Sequence, residues 1–120
     1  GEVDSSGLVV YTLDDNGDIM NSAYISFPEA NGRCHCVLSH PNNPRQIYIA
    51  DLNRNVVEHY YYNPISNNIT FKSSVDLGDG AGPRTIAFNP KIDGVLYVSR
   101  ETDNKVSVIW FDIDTYMLTS

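Results

Sequence analysis

The chain has 120 residues, 42% of them hydrophobic, with eight Tyr, four Phe and one Trp, which suits one packed domain and excludes a disordered segment. A formal charge of −7 with no basic cluster excludes sequence-independent binding to nucleic acid or to an anionic membrane. The charge is uneven: residues 1–32 carry six acids and no Lys or Arg, and residues 33–120 carry nine acids and eight bases.

No window shows a sustained helical period, and the chain reads as short β-rich runs separated by turn residues. The first runs are "GLVVYTL" and "AYISF", joined across Asp-Asn-Gly. Asp14, Asp15 and Asp18 crowd that turn, but the fixed ligand spacing and bidentate acid of a calcium loop are missing. Next comes "CHCVLS". Cys34 and Cys36 flank His35 and point the same way on a strand, a poor geometry for a mutual disulfide and better suited to a reduced setting. A structural zinc site would need a second ligand pair, so no metal is expected. "QIYIAD", "NVVEHYYY" and "ITFKSSV" follow; the Tyr60–Tyr62 run reads as packing between sheets, and His40 and His59 as structural or surface residues. "TIAFN", "VLYVSR" and "KVSVIWFD" complete the series. With no signal-peptide pattern and no run long enough to span a membrane, the expected location is cytoplasmic.

A self-comparison orders these runs. Shifted by 49 positions, "RCHCVLSHPNNPRQIYIADLNRNVVEHYYYNP" falls on "GPRTIAFNPKIDGVLYVSRETDNKVSVIWFDI", pairing Pro41 with Pro90, Tyr48 with Tyr97, Asn55 with Asn104 and Val57 with Val106. Four strands per repeat of this length predict a β-propeller, all-β throughout. The expected division is residues 1–30 as the end of one blade, 31–79 as a complete blade and 80–120 as most of a third. That is about two and a half four-stranded blades of a larger ring. Remaining blades would come from the rest of the chain or from other subunits, because each blade needs neighbours to cover its faces.

Within a blade, the start of the first strand and the end of the second lie on one rim. The repeat places His35 over Arg84, and Glu101 follows the second strand of the same blade as Arg84. An imidazole, a guanidinium and a carboxylate on one rim could perform acid–base chemistry on an anionic substrate. Each also has a plain structural reading. His35 could bond a neighbouring turn, Arg84 could clasp Asp79 or Asp103, and Glu101 could be an exposed turn residue.

"GAGPRTIAFNP" followed by "LYVSRETDNKVSVIWFD" resembles the Gly-x-Gly-Pro-Arg-His and Tyr-Val-x-Asn-Glu-Leu pattern of the seven-bladed propeller lactonase family. That family includes propeller-type 6-phosphogluconolactonases and carboxy-cis,cis-muconate lactonizing enzymes. The likeness extends over about residues 32–114. It implies a lactonase-like hydrolase, 6-phosphogluconolactonase-like, with His35, Arg84 and Glu101 as catalytic residues. Arg100, Thr85 and Asp51 would bind the substrate, a small lactone or anionic carboxylate. No cofactor is implied. Thr85 replaces the family's histidine, and Arg100-Glu101-Thr102 replaces Asn-Glu-Leu. These departures keep two alternatives open: a muconate-type lactonizing isomerase, and a propeller that binds without catalysing.

Overall fold

The computed structural model describes residues 7–26 and 34–119, which form ten strands and no helix. β1 (Gly7–Leu13) and β2 (Ile19–Ser26) make an antiparallel hairpin. β3 (Cys34–His40), β4 (Asn43–Asp51), β5 (Val56–Asn63) and β6 (Asn68–Asp76) form one four-stranded meander. β7 (Pro83–Phe88), β8 (Val95–Arg100), β9 (Lys105–Phe111) and β10 (Leu118–Thr119) form a second. Every pairing is between antiparallel strands consecutive in the chain. This is the construction of a propeller blade: two four-stranded meanders, the second ending in a two-residue strand, and one hairpin.

The 49-residue period recurs in the register. Cys34 faces Asp51 as Pro83 faces Arg100, and Leu38 faces Tyr48 as Ala87 faces Tyr97. It recurs in the backbone too. Asn55 and Asn104 both have positive φ, 60° and 58°, and so do Asn67 and Tyr116, at 58° and 65°. Asn tolerates the left-handed region because its short polar side chain bonds locally; Tyr does not share that ease. Tyr116 is held there from the preceding sheet, since its carbonyl accepts the Tyr48 hydroxyl at 2.7 Å.

The sheets stack face to face, and β4 shows why the sequence demands it. Successive side chains on a strand point to opposite faces. Ile47 and Ile49 pack with Leu8, Ala23, Tyr60 and Tyr62, towards the hairpin. Tyr48 and Ala50 pack with Ile86, Leu96, Val98, Ile109 and Phe111 of the next sheet. A strand buried on both faces needs the continuous apolar run "IYIA", where a half-exposed strand would alternate. Each fully buried aliphatic side chain contributes about 1.5–3 kcal/mol, so neither sheet face is stable uncovered.

The tyrosine run behaves as its sequence implies. Tyr60 and Tyr62 lie in the hairpin-facing cluster, and the Tyr62 hydroxyl meets Thr12 Oγ1 at 3.1 Å. Of the two placements open to His59, structural or surface, the fold shows the structural one. His59 is fully buried, stacked on Tyr48 with centroids 4.9 Å apart, and its Nε2 bonds Gln46 Oε1 at 2.7 Å.

Candidate functional site

His35 and Arg84 sit in equivalent irregularities at the starts of β3 and β7. In β3, Cys34 pairs with Asp51 and Cys36 with Ala50, so His35 is an extra residue without a ladder partner. In β7, Pro83 pairs with Arg100 and Ile86 with Val98, so Arg84 and Thr85 together face Ser99. The Thr85 N–H bonds the Ser99 hydroxyl at 3.1 Å instead of a backbone carbonyl. Bulges of this kind re-aim a side chain that a regular strand would point elsewhere. The two strands are neighbours: the Ile86 N–H reaches Cys36 Sγ at 3.4 Å. Both side chains therefore leave the same end of adjacent strands, and both residues are exposed.

Arg84 is aimed by the loop before it. Gly80 and Gly82 take positive φ, 79° and 59°, and Ala81 and Pro83 are buried as its anchor. The Glu101 N–H bonds the Gly82 carbonyl at 2.8 Å, bringing the end of β8 against this loop. Glu101 Oε1 then accepts from Arg84 Nη1 at 3.1 Å. The side chains are 50% and 45% exposed, so water screens the pair and its stabilising effect is below about 1 kcal/mol. Its effect is to orient. The carboxylate takes one edge of the guanidinium fork and leaves other N–H groups facing outwards.

His35 makes no hydrogen bond among the described residues. It lines a cavity of about 240 Å³ with Gly7, Leu8, Val9, Cys34, Cys36, Val37 and Ile49, and neither Arg84 nor Glu101 belongs to that lining. The geometry thus joins Arg84 to Glu101 directly and relates His35 to them through strand position.

The other sequence-derived candidates are engaged elsewhere. Asp51 is fully buried; its carboxylate accepts from the Asn53 and Arg54 amides at 3.1 and 3.0 Å and from Arg54 Nε at 2.9 Å. Arg54 also bonds Glu58, two positions outside what the sequence singled out. Arg100 is held by Asp103, Nη2 to Oδ2 at 2.7 Å, and by the Ser107 hydroxyl. Asp79 and Asp103, the clasps considered for Arg84, do not take that role; Glu101 does. Asp14 folds its own turn by accepting the Asn16 and Asp18 amides at 2.9 Å. Cys34 and Cys36 are not joined in a disulfide, and burial, with Asp51 adding, pushes Cys34 up to about 12.

A second cavity, about 540 Å³, opens at the opposite ends of β3 and β7, around His40, Phe88, Lys91, Ile92 and Asp93. His40 has no free nitrogen to offer there. Nδ1 accepts the Asn42 N–H at 3.1 Å, so Nε2 carries the proton and donates to Asp93 at 3.0 Å. That bond holds the Asp93 carboxyl below its ordinary range. No group of three or more His, Cys, Asp or Glu suited to a metal occurs among the described residues, and no helix among them is long and apolar enough to cross a membrane.

Blade-like sheets stacked face to face, with bulged inner strands, define a β-propeller. Residues 4–120 match the family described as "Lactonase, 7-bladed beta-propeller", and the chain belongs to that family. Among solved structures it resembles a protein from Lactobacillus plantarum, with a TM-score of 0.77 at 18% identity over 92% of this chain and 33% of that one. A candidate 6-phosphogluconolactonase from Bacteroides uniformis gives 0.71 at 18% identity, covering 95% and 36%. The PQQ domain of a pyranose dehydrogenase from Coprinopsis cinerea gives 0.54 at 16%, covering 91% and 30%. The chain therefore spans about a third of the length of these structures. No curated protein matches it.

Proposed function

We propose that this chain contributes one part of the active site of a lactone hydrolase acting on a sugar-acid lactone such as 6-phosphogluconolactone. The observation that carries the reading is the Arg84–Glu101 pair, presented by a bulge whose equivalent in the preceding sheet presents His35. Family membership supports the lactone class, and the name of the Bacteroides uniformis structure favours the phosphorylated sugar acid. Two cysteines without a disulfide fit a reducing, cytoplasmic setting.

In this mechanism the outward N–H groups of Arg84 hold the lactone carbonyl oxygen, or an anionic substituent beside it, in a planar fork. Glu101 fixes the guanidinium through its 3.1 Å contact. His35 takes a proton from water as its oxygen bonds to the carbonyl carbon. Arg84 stabilises the resulting oxyanion. When the ring C–O bond breaks, the proton passes from His35 to the departing alkoxide, giving the open hydroxy acid.

The test is turnover of 6-phosphogluconolactone, above its uncatalysed hydrolysis, by the full-length protein that carries this chain. Arg84→Ala should lower kcat/KM by about 10²–10³-fold, the range for loss of one oxyanion donor. Turnover at the unaltered rate would overturn the assignment. A second reading is a propeller that binds without catalysing. It is favoured by Arg100, whose guanidinium is occupied by Asp103, and by a cavity of about 540 Å³ that lies away from Arg84. Silence across a lactone panel, together with a protein partner recovered by pull-down, would select it. Lactone formation from a carboxymuconate would instead select the isomerase.

A further inference from the structure

Asn55 lies in the turn between β4 and β5, one sheet away from Arg84 and Glu101, yet it is bonded to the loop that carries them. Its Oδ1 accepts the Gly82 N–H at 2.9 Å. Gly82 in turn offers its carbonyl to the Glu101 N–H at 2.8 Å. One residue therefore receives the preceding sheet at its N–H and the Glu101 backbone at its carbonyl, on the two peptide groups that flank its Cα. Arg84 is two residues on, bonded to the Glu101 carboxylate.

Three features make this link specific. Asn55 has a φ of 60°, which turns its side chain out of the β5 ladder, and its own carbonyl accepts the Leu77 N–H at 2.8 Å, fixing the turn against the loop's entry. Gly82 is buried, and a Cβ placed on it would collide with Thr102 Oγ1, so the loop can sit against the end of β8 only without a side chain there. Asn104 repeats the left-handed conformation 49 residues later, so the backbone of this turn belongs to the blade repeat.

We infer that Asn55 is a positioning residue that holds the Gly82 peptide, and through it the Arg84–Glu101 pair, from the neighbouring blade. This rests on the lactonase reading where turnover is concerned, while the physical link is independent of it. Asn55 touches neither reacting group and acts only through the loop.

Two substitutions in the full-length protein separate the cases. Asn55→Gly keeps a residue at ease with positive φ and deletes the acceptor; Asn55→Asp keeps both the backbone tolerance and an acceptor oxygen. Hydrogen exchange at the Gly82 and Glu101 amides should quicken about tenfold or more in Asn55→Gly, as expected for losing a bond worth about 1.4 kcal/mol. It should stay near the starting rate in Asn55→Asp. Unchanged exchange in β4 and β8 marks a folded protein. Lactone turnover should follow, with kcat falling about tenfold, KM changing less, and Asn55→Asp restoring most of it. Unaltered exchange at Gly82 and Glu101 in Asn55→Gly overturns the inference whatever the activity. Quickened exchange in a protein that never hydrolyses a lactone upholds the link and removes the lactonase reading instead. If Asn55→Gly does not fold, the decision passes to Asn55→Asp: loss of protection there, with the acceptor still present, also overturns it.

Discussion

Asp51 and Arg100 occupy the same place at the ends of the second strands of successive sheets, carry opposite charges, and are each neutralised by the residue three positions on. Asp51 is held by Arg54 at 2.9 Å and Arg100 by Asp103 at 2.7 Å. The turn keeps its ion pair while the polarity reverses. The surroundings differ: Asp51 is wholly buried and Arg54 also bonds Glu58, whereas Arg100 and Asp103 remain 22% and 30% exposed.

Unequal costs follow for the two turns. Arg54→Ala leaves two carboxylates without their cation in a largely dry site, and should destabilise by about 3–5 kcal/mol. Asp103→Ala removes a solvated partner and should cost no more than about 1 kcal/mol. Urea midpoints at constant slope would measure both. Equal losses would mean that Asp51 finds water on removal of Arg54.

A pH dependence follows from His59. Burial, with Lys72 adding repulsion, lowers its pKa from 6.5 to about 4. The unfolded chain therefore takes up a proton near pH 6.5 that the folded chain refuses until about pH 4. The neutral ring's stabilisation is complete above pH 6.5 and is lost progressively as pH falls to about 4, on the order of 3 kcal/mol in all. His59→Phe keeps a ring beside Tyr48 and cannot titrate. Plotted against pH, its unfolding free energy should decline less steeply than that of the parent between 6.5 and 4. Parallel curves would place the acid sensitivity in other groups.

Two glycines in one loop should respond differently to a methyl group. At Gly80 a Cβ meets open space, so Gly80→Ala bears only the strain of φ 79°, about 1 kcal/mol. At Gly82 the same strain is joined by collision with Thr102 Oγ1, and Gly82→Ala should cost about 2–3 kcal/mol. Thr102→Ala added to Gly82→Ala should recover the difference. Denaturant titration of the three variants distinguishes backbone strain from crowding.

The Cys34 thiol, at about 12, is ionised about a thousandfold less near neutral pH than an ordinary cysteine, and only the thiolate reacts. Labelling of Cys34 by iodoacetamide at pH 8, read by peptide mass, should be about 10³-fold slower in the folded protein than in urea. Comparable rates would show that the site opens readily.

The repeat was legible because it rests on side-chain chemistry that recurs: Tyr48 with Tyr97, Asn55 with Asn104 and the apolar runs between them. The strand order followed from it. Arg84 and Glu101 were placed on one rim by counting along strands, and the same counting set His35 in the equivalent slot. Their presentation by bulges was not readable, since one unpaired residue leaves no mark in an alternating pattern. Arg54 and Glu58 escaped notice because an i to i+3 contact across a tight turn has no hydrophobic signature. The repeat does, however, lay Arg54 over Asp103, and that reversal of sign is the clue a closer comparison would use. His59 was left open between a structural and a surface role because polarity alone does not decide burial; Gln46 and Ser73 satisfy both ring nitrogens inside.

The two-sided burial of β4 has a counterpart in β9, where Val106, Val108 and Trp110 are 64%, 53% and 57% exposed on the face turned from the β4–β8 cluster. A row of such sheets always has one fewer junction than it has members, however many are added. Bending the row until its first and last members meet supplies the absent junction without another strand, so circularity itself is a source of cohesion in this architecture.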